Sequence, residues 1–424
     1  MILFGRGTPD EPGEALAATR TALLAPDPIR WRVDPGNLGL LSRTVRDLEG
    51  SRPVEVVLPA QDFAFDRTVV ANENELVPTL RRIFENVSLM MTNGRPYVLP
   101  PPALDISTND LCGLACNMCG NRATRRDPGT MRPEEVQALI AEAADWGIRR
   151  VALTGAGEPF RDPRMLDHLR FANGLGHLVT ITTNGFPVSE AIAKELAASV
   201  VSISVSIHGA TEAMHDAIVG IPKAGDNAWR AIRRMVKAKR ETRGSKLSVS
   251  ISTVIQRQNL DEIPALVRRA REEGCDGINI QPVNLQHGSF RGGAIVRRDD
   301  VIRMTELWPR SGIEEVFDEL LALKKELGRF VHASADRLLL FRRYFRDASR
   351  EALGVACRVG EAFLAVDHRG QIKPCYRLPW SHGDARLASI RGLWNSQAYA
   401  RTRALVDACP LTCLNNCFFR EKRA

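Results

Sequence analysis

Leu-Cys-Gly-Leu-Ala-Cys-Asn-Met-Cys, residues 111–119, gathers three cysteines into one short stretch. Cys112, Cys116 and Cys119 have the spacing C-x3-C-x2-C and follow an apolar run that ends at Ile106. Three thiolates this close together can hold three irons of a [4Fe–4S] cluster and leave the fourth iron open. Zinc also prefers thiolates, but its structural sites usually take four ligands, and no fourth cysteine or histidine is near. The stretch therefore predicts a cluster with one open iron.

This segment resembles the signature of the radical S-adenosylmethionine (radical SAM) enzymes. The resemblance implies that the amino and carboxylate groups of SAM chelate the open iron. It also implies that an electron from the cluster cleaves SAM to methionine and a 5′-deoxyadenosyl radical, with flavodoxin or ferredoxin as external electron donor. Met118 stands where the family commonly has an aromatic residue. It keeps a hydrophobic side chain at that position and is a candidate cofactor contact.

Apolar, strand-like runs alternate with helical patterns between about residues 103 and 282. Such βα alternation is typical of a parallel sheet with helices outside. It fits an open sheet or a barrel equally well. The radical SAM resemblance implies an α/β fold with a partial (β/α)6 TIM-like barrel and the cluster at its C-terminal mouth. We predict six strands at 103–106, 150–154, 178–182, 201–207, 247–254 and 277–281. Helices are predicted between them at about 133–146, 163–173, up to 198, 227–241 and 260–273.

A glycine-rich turn, residues 155–159, comes directly after the second strand and reads Gly-Ala-Gly-Glu-Pro. Gly155 and Gly157 lack a β-carbon and permit close backbone approach and unusual φ angles. The Glu158 carboxylate could take the ammonium group of a methionine moiety. Such a turn alone is also an ordinary loop, but after a CxxxCxxC segment it resembles the GGE motif of the family. We therefore predict that Gly155, Gly157 and Glu158 bind SAM.

Polar residues on the third, fourth and sixth strands are further candidates for cofactor contacts. Asn184 follows the third strand, and Ser204 and Ser206 share one face of the fourth by period-two alternation. In a barrel that face could be the interior, where hydroxyl groups would meet ribose and carboxylate oxygens. Polar filling of the barrel explains the pattern equally well. Asn279 and Gln281 could contact adenine or substrate, or be purely structural.

The end of the chain carries a second group of cysteines around a predicted hairpin of residues 363–373: Cys357, Cys375, Cys409, Cys413 and Cys417. The pattern indicates another metal site, iron–sulfur or zinc. It resembles the reduced SPASM domain, often called a twitch domain, which implies one auxiliary [4Fe–4S] cluster. The full SPASM pattern uses seven cysteines for two clusters, and this tail has five. The preferred ligands are Cys357, Cys375, Cys413 and Cys417.

Two cysteines are then spare and are candidate catalytic residues. A thiol can deliver a hydrogen atom to a carbon radical, and radical SAM epimerases finish their reaction in this way. Cys409 is the better-placed donor candidate because it belongs to the tail. Cys275 begins the sixth predicted strand, at the end opposite the chemistry, and a small buried core residue accounts better for it.

Composition limits the possible partners. The chain has 424 residues, a net charge of +8, 44% hydrophobic residues and 25% charged residues, which is ordinary for a soluble globular protein. Basic residues are scattered among acidic ones, so we expect no nucleic-acid partner. No run has the roughly 18 apolar residues of a membrane helix, and the start lacks a secretory pattern. The nine cysteines are gathered in clusters, which suits metal binding in a reducing compartment rather than disulfides. We therefore expect a cytoplasmic protein without membrane contact.

The first hundred residues are the least informative. Residues 53–58 predict a short strand and residues 75–86 a helix. This extension could be a small α/β appendage, a clamp over the barrel mouth or a leader-peptide-binding module. The predicted domains are an N-terminal extension (1–100), a radical SAM partial barrel (101–285), a helical bridge (286–355) and a small α+β auxiliary-cluster domain (356–424). Helices are predicted at 299–308, 313–327 and 335–353 in the bridge and at 389–406 in the tail.

The predicted activity is that of a radical SAM enzyme that takes a hydrogen atom from an unactivated C–H bond. An epimerase or a dehydrogenase acting at a carbinol carbon of a sugar-containing natural product is the preferred interpretation. An auxiliary cluster that accepts an electron would give dehydrogenation, whereas a spare thiol would give epimerisation. The alternative is a peptide maturase that installs a thioether, a carbon–carbon crosslink or a D-residue. A non-enzymatic iron–sulfur protein is disfavoured because the turn around Glu158 would then have no use.

Overall fold

The computed structural model forms two compact units, Met1–Pro100 and Pro101–Ala424. In the first unit it describes only four short strands. In the second it describes most residues, with several interruptions. The described residues are 2–3, 29–32, 54–57, 68–69, 100–119, 127–154, 156–284, 288–291, 294–297, 306–357, 359–362, 364–375, 381–407, 409, 411, 413–414 and 419–421.

The strands of the first unit form one sheet in the order β1-β2-β3-β4. The first three strands run parallel to one another, and the fourth pairs antiparallel with the third. The strand predicted at residues 53–58 is confirmed, and the helix predicted at 75–86 lies outside the described residues. The strands are β1 (Ile2–Leu3), β2 (Ile29–Arg32), β3 (Val54–Val57) and β4 (Thr68–Val69).

The second unit is built on an eight-stranded sheet in the order β10-β9-β8-β7-β6-β5-β14-β15. All neighbours are parallel except the terminal pair β14–β15, so the sheet is an open, partly barrel-like one and confirms the predicted fold class. All six predicted strands are confirmed. They are β5 (Ala103–Ser107), β6 (Arg150–Thr154), β7 (Leu178–Thr183), β8 (Val201–Ser206), β9 (Ser248–Ile255) and β10 (Gly277–Pro282).

Helices connect these strands. Five of them are close to the predicted segments, and the helix Glu212–Val219 was not predicted. Its sequence carries ordinary boundary signals: the Thr211 side chain accepts from Met214 N at the start, and Gly220 takes φ +71° at the end. The helices are α1 (Pro133–Asp145), α2 (Met165–Gly174), α3 (Glu190–Ala197), α4 (Glu212–Val219), α5 (Ala224–Glu241) and α6 (Ile263–Glu272).

The two faces of the sheet differ sharply in polarity. One face carries fully buried aliphatic side chains that pack under the helices, such as Ile203, Val205 and Ile251. The other face carries hydroxyl groups in register across neighbouring strands, since Ser202 pairs with Ser248, Ser204 with Ser250 and Ser206 with Ser252. Alternation therefore places apolar groups toward the helices and polar groups toward the inside of the partial barrel.

The segment after β10 contains more β-structure than expected. A hairpin of β11 (Gly288–Arg291) and β12 (Ala294–Arg297) lies where a helical bridge was predicted. Helix α7 (Ile313–Leu327) is confirmed, and the helix predicted at 299–308 falls largely outside the described residues. The helix predicted at 335–353 is interrupted, because Asp347 is extended and its side chain accepts from Ser349 N. The two pieces are α8 (Ala335–Arg346) and α9 (Arg350–Leu353).

The tail joins the barrel through its hairpin. Strand β14 (Leu364–Val366) pairs parallel with β5, and β15 (Ile372–Lys373) pairs antiparallel with β14, which confirms the predicted hairpin. Glu142 of α1 accepts from the backbone N–H groups of Ile390 and Arg391 at 3.0 and 3.1 Å. The helix predicted at 389–406 is two helices. The remaining elements are β13 (Val355–Cys357), α10 (Val359–Ala362), α11 (Ile390–Trp394), α12 (Gln397–Asp407) and β16 (Phe419–Glu421).

Candidate active site

The cysteine loop follows β5 and rests on the end of α4. The backbone N–H groups of Ala115 and Asn117 donate to the carbonyl oxygens of Val219 and Ile218, each at 3.0 Å. Cys119 N donates to Cys116 O at 3.1 Å, so the last two cysteines share one turn. The loop is therefore held by the one barrel helix that the sequence analysis did not predict.

The three thiols suit the predicted cluster. Cys112 and Cys116 are half-buried and Cys119 is exposed. Burial raises the pKa of the Cys112 thiol, and the negative charges of Glu158 and Cys119 raise it further, whereas a hydrogen bond from the Leu114 backbone lowers it. Cys112 and Cys119 are thus close enough to affect each other. A thiolate-only donor set of this kind fits an iron–sulfur cluster.

Glu158 lies beside this loop and is almost fully buried, with 2% of its surface exposed. Its carboxylate accepts from Thr183 Oγ1 at 2.6 Å, from Asn184 N at 2.7 Å and from Phe160 N at 3.2 Å. Burial raises the pKa of Glu158, and these hydrogen bonds oppose that rise. A buried carboxylate of this kind would be stabilised by a cationic ligand group such as an ammonium. Gly155 lies outside the described residues.

Gly157 has a clear structural role. A β-carbon at this position would lie 2.0 Å from Leu111 O and 2.3 Å from the carbonyl carbon of Leu111. The neighbouring Glu158 N donates to the same Leu111 oxygen at 2.6 Å. The close approach that glycine permits here is to the start of the cysteine loop, and it binds the turn and the loop into one unit.

Gly157→Ala is expected to displace the cysteine loop. The clash is with backbone atoms, so relief needs a backbone shift, with a loss of stability of about 1–3 kcal/mol. We expect a lower melting temperature and incomplete iron loading after anaerobic reconstitution. Gly174→Ala is a matched control because nothing beyond its own stretch of helix lies within 4 Å of its β-carbon position. Normal iron loading and stability in Gly157→Ala would contradict this role.

Asn184 connects the turn to the cysteines. Its Nδ2 lies 4.0 Å from Cys112 Sγ, and its Oδ1 accepts from Phe186 N at 3.0 Å. Met118 packs instead against the buried residues Ile218, Val219 and Ala224. The structure thus places Asn184 with Glu158 and Cys112, and gives Met118 a packing contact with α4 and the start of α5.

A cavity of about 480 Å³ opens beside the cysteine loop. This volume is within the range of small-molecule sites. Arg161 adds a positive charge that the sequence analysis did not single out, although it lies only three residues after Glu158. The cavity is lined by Leu111, Gly113, Leu114, Glu158, Phe160, Arg161, Asn184, Phe186, Pro187 and Ile221.

Ser204 and Ser206 lie on the inner face of the sheet and are partly exposed. Ser204 Oγ and Ser250 Oγ are 2.9 Å apart, and Ser250 Oγ also donates to Ile203 O at 3.2 Å. Asn279 pairs in register with Ser252 on this face. The predicted serines therefore belong to a continuous polar wall, and Ser250 is a member that the sequence analysis missed.

Two buried histidines order the segment after β8. His208 N donates to His215 Nδ1 at 3.0 Å, and Val254 N donates to His208 Nδ1 at 3.3 Å. Burial lowers the pKa of His208 to about 3 and that of His215 to about 4. Both rings are therefore neutral at pH 7, and accepted hydrogen bonds hold them in place.

Four of the five tail cysteines gather around the hairpin. Cys375 and Cys413 pack against a buried pair formed by Cys409 and Leu411. Cys357 and Cys375 also pack against a second buried group, Val359, Ala365 and Val406. Cys417 lies outside the described residues. The described thiols thus form one donor group suited to a metal cluster, and Cys409 is part of it.

Arg403 is a buried cation with 8% of its surface exposed, and it lies on α12 three residues before Val406, which packs against Cys357 and Cys375. Its guanidinium donates to Gly360 O at 3.0 Å and to Trp394 O at 2.7 Å. It also lies 4.5 Å from the ring centroids of Trp394 and Tyr399. A guanidinium stays charged at any ordinary pH, so Arg403 brings a fixed positive charge into the cysteine-rich region.

Two family profiles match these two regions. The profile of the radical SAM superfamily matches residues 106–270, which include the cysteine loop, Glu158 and Asn184. The chain belongs to the radical SAM superfamily. The SPASM profile, an iron–sulfur cluster-binding domain, matches residues 357–418 and so spans the tail cysteines. This radical SAM enzyme therefore binds SAM at a [4Fe–4S] cluster and carries auxiliary iron–sulfur binding in its tail.

Relatives of the enzyme act on different substrates. It is 24% identical over 306 residues to the AdoMet-dependent heme synthase of Oleidesulfovibrio alaskensis, covering 68% of this chain and 73% of the relative. It is 25% identical over 285 residues to the PqqA peptide cyclase of Gluconobacter oxydans, covering 65% and 70%.

The fold is shared with SuiB of Streptococcus suis. The crystal structure of SuiB bound to S-adenosylmethionine matches with a TM-score of 0.56 and 16% identity, covering 80% of this chain and 75% of SuiB. SuiB bound to the precursor peptide SuiA matches with a TM-score of 0.57 and 15% identity, covering 92% and 80%. At these sequence identities, the similarity to SuiB is evidence only for the fold of this radical SAM enzyme.

Cys275 lies away from both cysteine groups. It is 5% exposed and sits two residues before β10, at the end of the sheet opposite the cysteine loop. Burial raises the pKa of its thiol to about 12. These features are those of a core residue.

Among the residues that the structure describes, no helix is long and apolar enough to cross a bilayer.

Proposed function

We propose that this radical SAM enzyme oxidises its substrate by two electrons at one carbon. The preferred substrate is a sugar-containing natural product, in which a carbinol carbon becomes a ketone. The carbinol C–H hydrogen atom leaves first. The resulting substrate radical then loses one electron and its hydroxyl proton, which forms the C=O bond. In total one substrate loses two hydrogen atoms.

The placement of Cys409 carries this proposal. Epimerisation needs a free thiol to return a hydrogen atom, and Cys409 was the preferred donor. Its burial with Cys375 and Cys413 supports Cys409 as a ligand of the auxiliary cluster instead. A ligated sulfur carries no S–H hydrogen to donate, so Cys409 itself would not return a hydrogen atom, and removal of an electron by the adjacent cluster is the proposed route.

The residues that would hold SAM are those around the cavity. Cys112, Cys116 and Cys119 would hold the cluster, Glu158 would bind the ammonium group, and Asn184 would orient Cys112. When bound, SAM and its cluster supply the 5′-deoxyadenosyl radical that abstracts hydrogen. The inner wall of Ser204, Ser206 and neighbouring hydroxyl groups suits a polar substrate with many hydrogen-bonding groups.

The auxiliary cluster would take the electron from the substrate radical, and the fixed charge of Arg403 would favour that reduced state. A flavodoxin or ferredoxin is the proposed source of the electron that starts the reaction. A reducing cytoplasmic location is part of the same proposal, since it keeps the clustered thiols free for iron.

A second candidate is peptide maturation. It is favoured by the similarity to a PqqA peptide cyclase and by the fold shared with SuiB, which has been solved with its precursor peptide. The same hydrogen abstraction and electron removal would then act on a residue of a peptide and leave a crosslink or an oxidised side chain.

Product mass and solvent isotope separate these reactions. Candidate sugar-containing substrates and precursor peptides would be incubated anaerobically with SAM and reductant in D2O. Oxidation predicts a product lighter by two hydrogen atoms with no deuterium at carbon. A product in which one hydrogen at carbon is replaced by deuterium, with no net loss of hydrogen, would show epimerisation and overturn the proposal. Oxidation of a peptide alone would favour the second candidate.

Cys409→Ala tests the ligand assignment directly. In a background in which Cys112, Cys116 and Cys119 are alanine, the auxiliary cluster would be the sole site for about four irons. Adding Cys409→Ala is expected to remove most of that iron, as Cys413→Ala should. Cys275→Ala is the matched control and should keep it. Full iron retention by Cys409→Ala would return Cys409 to the role of hydrogen donor.

A further inference from the structure

The hairpin turn of the tail lies beside the start of the cysteine loop. Strand β14 pairs parallel with β5, with Leu364 opposite Leu104 and Val366 opposite Ile106. Because the two strands run in the same direction, the turn after β14 and the loop after β5 leave the sheet at the same edge. Residues 367–370 are therefore brought next to the segment that carries Cys112.

Both ends of the cysteine loop meet this turn. Asp110 precedes Cys112 by two residues, and Asp127 follows Cys119 by eight. Asp127 N lies 3.4 Å from Asp110 Oδ1, so the two ends approach each other. The loop is thus closed at its base by two aspartates.

Two neighbouring residues of the turn contact these aspartates. Arg369 Nε donates to Asp127 Oδ2 at 2.6 Å, and the Arg369 guanidinium forms an ion pair with the same carboxylate. His368 Nε2 lies 3.3 Å from Asp127 Oδ2 and 3.9 Å from Asp110 Oδ2. Met131 N also donates to His368 O at 2.7 Å. Side chains and backbone of the turn therefore hold the same segment.

The turn itself is well fixed. Asp367 Oδ1 accepts from the N–H groups of Arg369 and Gln371, each at 2.9 Å, and Gly370 takes φ +77°. Asp127 is ionised, because hydrogen bonds from Gly129 N and Arg369 lower its pKa to about 2. A charged carboxylate thus faces a guanidinium on a preformed turn.

We propose that His368 and Arg369 are positioning residues for the SAM cluster: the turn of the auxiliary hairpin holds Asp110 and Asp127 and so fixes the base of the loop that carries Cys112, Cys116 and Cys119. The tail hairpin and the barrel are joined here, at the base of the cysteine loop. This role rests on the radical SAM chemistry of the family and is independent of whether the substrate is oxidised.

A bound metal ion is a weaker explanation of the same contacts. Ligand atoms of Asp110, Asp127 and His368 lie within 4.8 Å of one another, as a cation site would require. The Arg369 guanidinium, however, already pairs with Asp127 at that place. A like-charged cation beside it would be repelled, so the ion pair alone accounts for the geometry.

Charge reversal and its rescue test the proposal. Arg369→Asp places a negative charge against Asp127 and is expected to weaken SAM binding about tenfold, which is about 1.4 kcal/mol. It should also change the EPR signal that the reduced SAM cluster gives with SAM, with total iron unchanged because all thiols remain. The double variant Asp127→Arg with Arg369→Asp should recover most of the SAM affinity. Arg369→Gln, a milder change, should shift affinity in the same direction.

Arg346→Asp is the matched control, because Arg346 forms an exposed ion pair with Glu314 far from the cysteine loop in sequence. It should leave SAM affinity and the EPR signal unchanged. Wild-type SAM affinity and EPR in both Arg369→Asp and Arg369→Gln would overturn the proposal. Equal loss in the single and the double variant would also overturn it, since the effect would then not depend on the pairing.

Discussion

Cleavage of SAM is expected to stop when Cys112, Cys116 and Cys119 are replaced together by alanine. These residues are the only thiols in the loop; Cys112 and Cys116 are half-buried, and Cys112 lies beside Glu158 and Asn184. Without them no cluster can form at the cavity, and SAM has no source of an electron there. The measurement is 5′-deoxyadenosine formed under anaerobic reducing conditions, which should fall to background.

The variant also provides its own folding check. The tail cysteines are untouched, so about four irons should remain after reconstitution. Loss of all iron together with activity would point to misfolding, and the single Cys119→Ala variant, at the most exposed of the three positions, would then be used. Persistent formation of 5′-deoxyadenosine in a folded variant would remove the cysteine loop from the reaction.

Glu158→Gln is expected to weaken SAM binding by about tenfold to a hundredfold. Its carboxylate is buried, lines the cavity and is held by Thr183 and Asn184. Glutamine keeps the shape but removes the charge that would meet an ammonium, and its amide would place a donor against an N–H group. Loss of a charge-assisted hydrogen bond is worth about 1.5–3 kcal/mol.

Equilibrium binding of SAM to the reconstituted enzyme measures this effect, with the melting temperature without SAM as a check on folding. Glu190→Gln is the control, because Glu190 lies in the first turn of α3 and is exposed. Unchanged SAM affinity in Glu158→Gln would assign the residue a structural role in joining the turn to the cysteine loop.

Local pattern was enough to predict the six parallel strands, whereas their barrel-like arrangement was implied by the family resemblance. Strands such as Val201–Ser206 alternate apolar and polar residues, and the buried and partly exposed positions follow that alternation. Helix α4 was missed although Thr211 and Gly220 mark its ends, because its eight residues lie between a strand and the longer α5. The missed helix matters, since its last carbonyl groups hold the cysteine loop.

Contacts between residues that are far apart along the chain could not be predicted from the sequence. Position 157 needs glycine because a β-carbon there would clash with the Leu111 carbonyl group, 46 positions earlier in the chain. No local sequence rule connects these two residues. The pairing of Asp127 with Arg369 spans 242 positions and depends on β14 lying next to β5. A strand order of this kind is set by packing of the whole unit. The preference for Cys409 as a cluster ligand likewise depends on its packing with Cys375, a contact that the sequence does not show.

Iron content of the wild-type enzyme tests the central claim most directly. Two separate cysteine groups, one at the cavity and one around the tail hairpin, predict about eight irons and eight sulfides for each chain after anaerobic reconstitution. The EPR signal of the reduced protein should then contain two components, and SAM should alter only one of them. About four irons for each chain, or two EPR components that are both unchanged by SAM, would contradict the account.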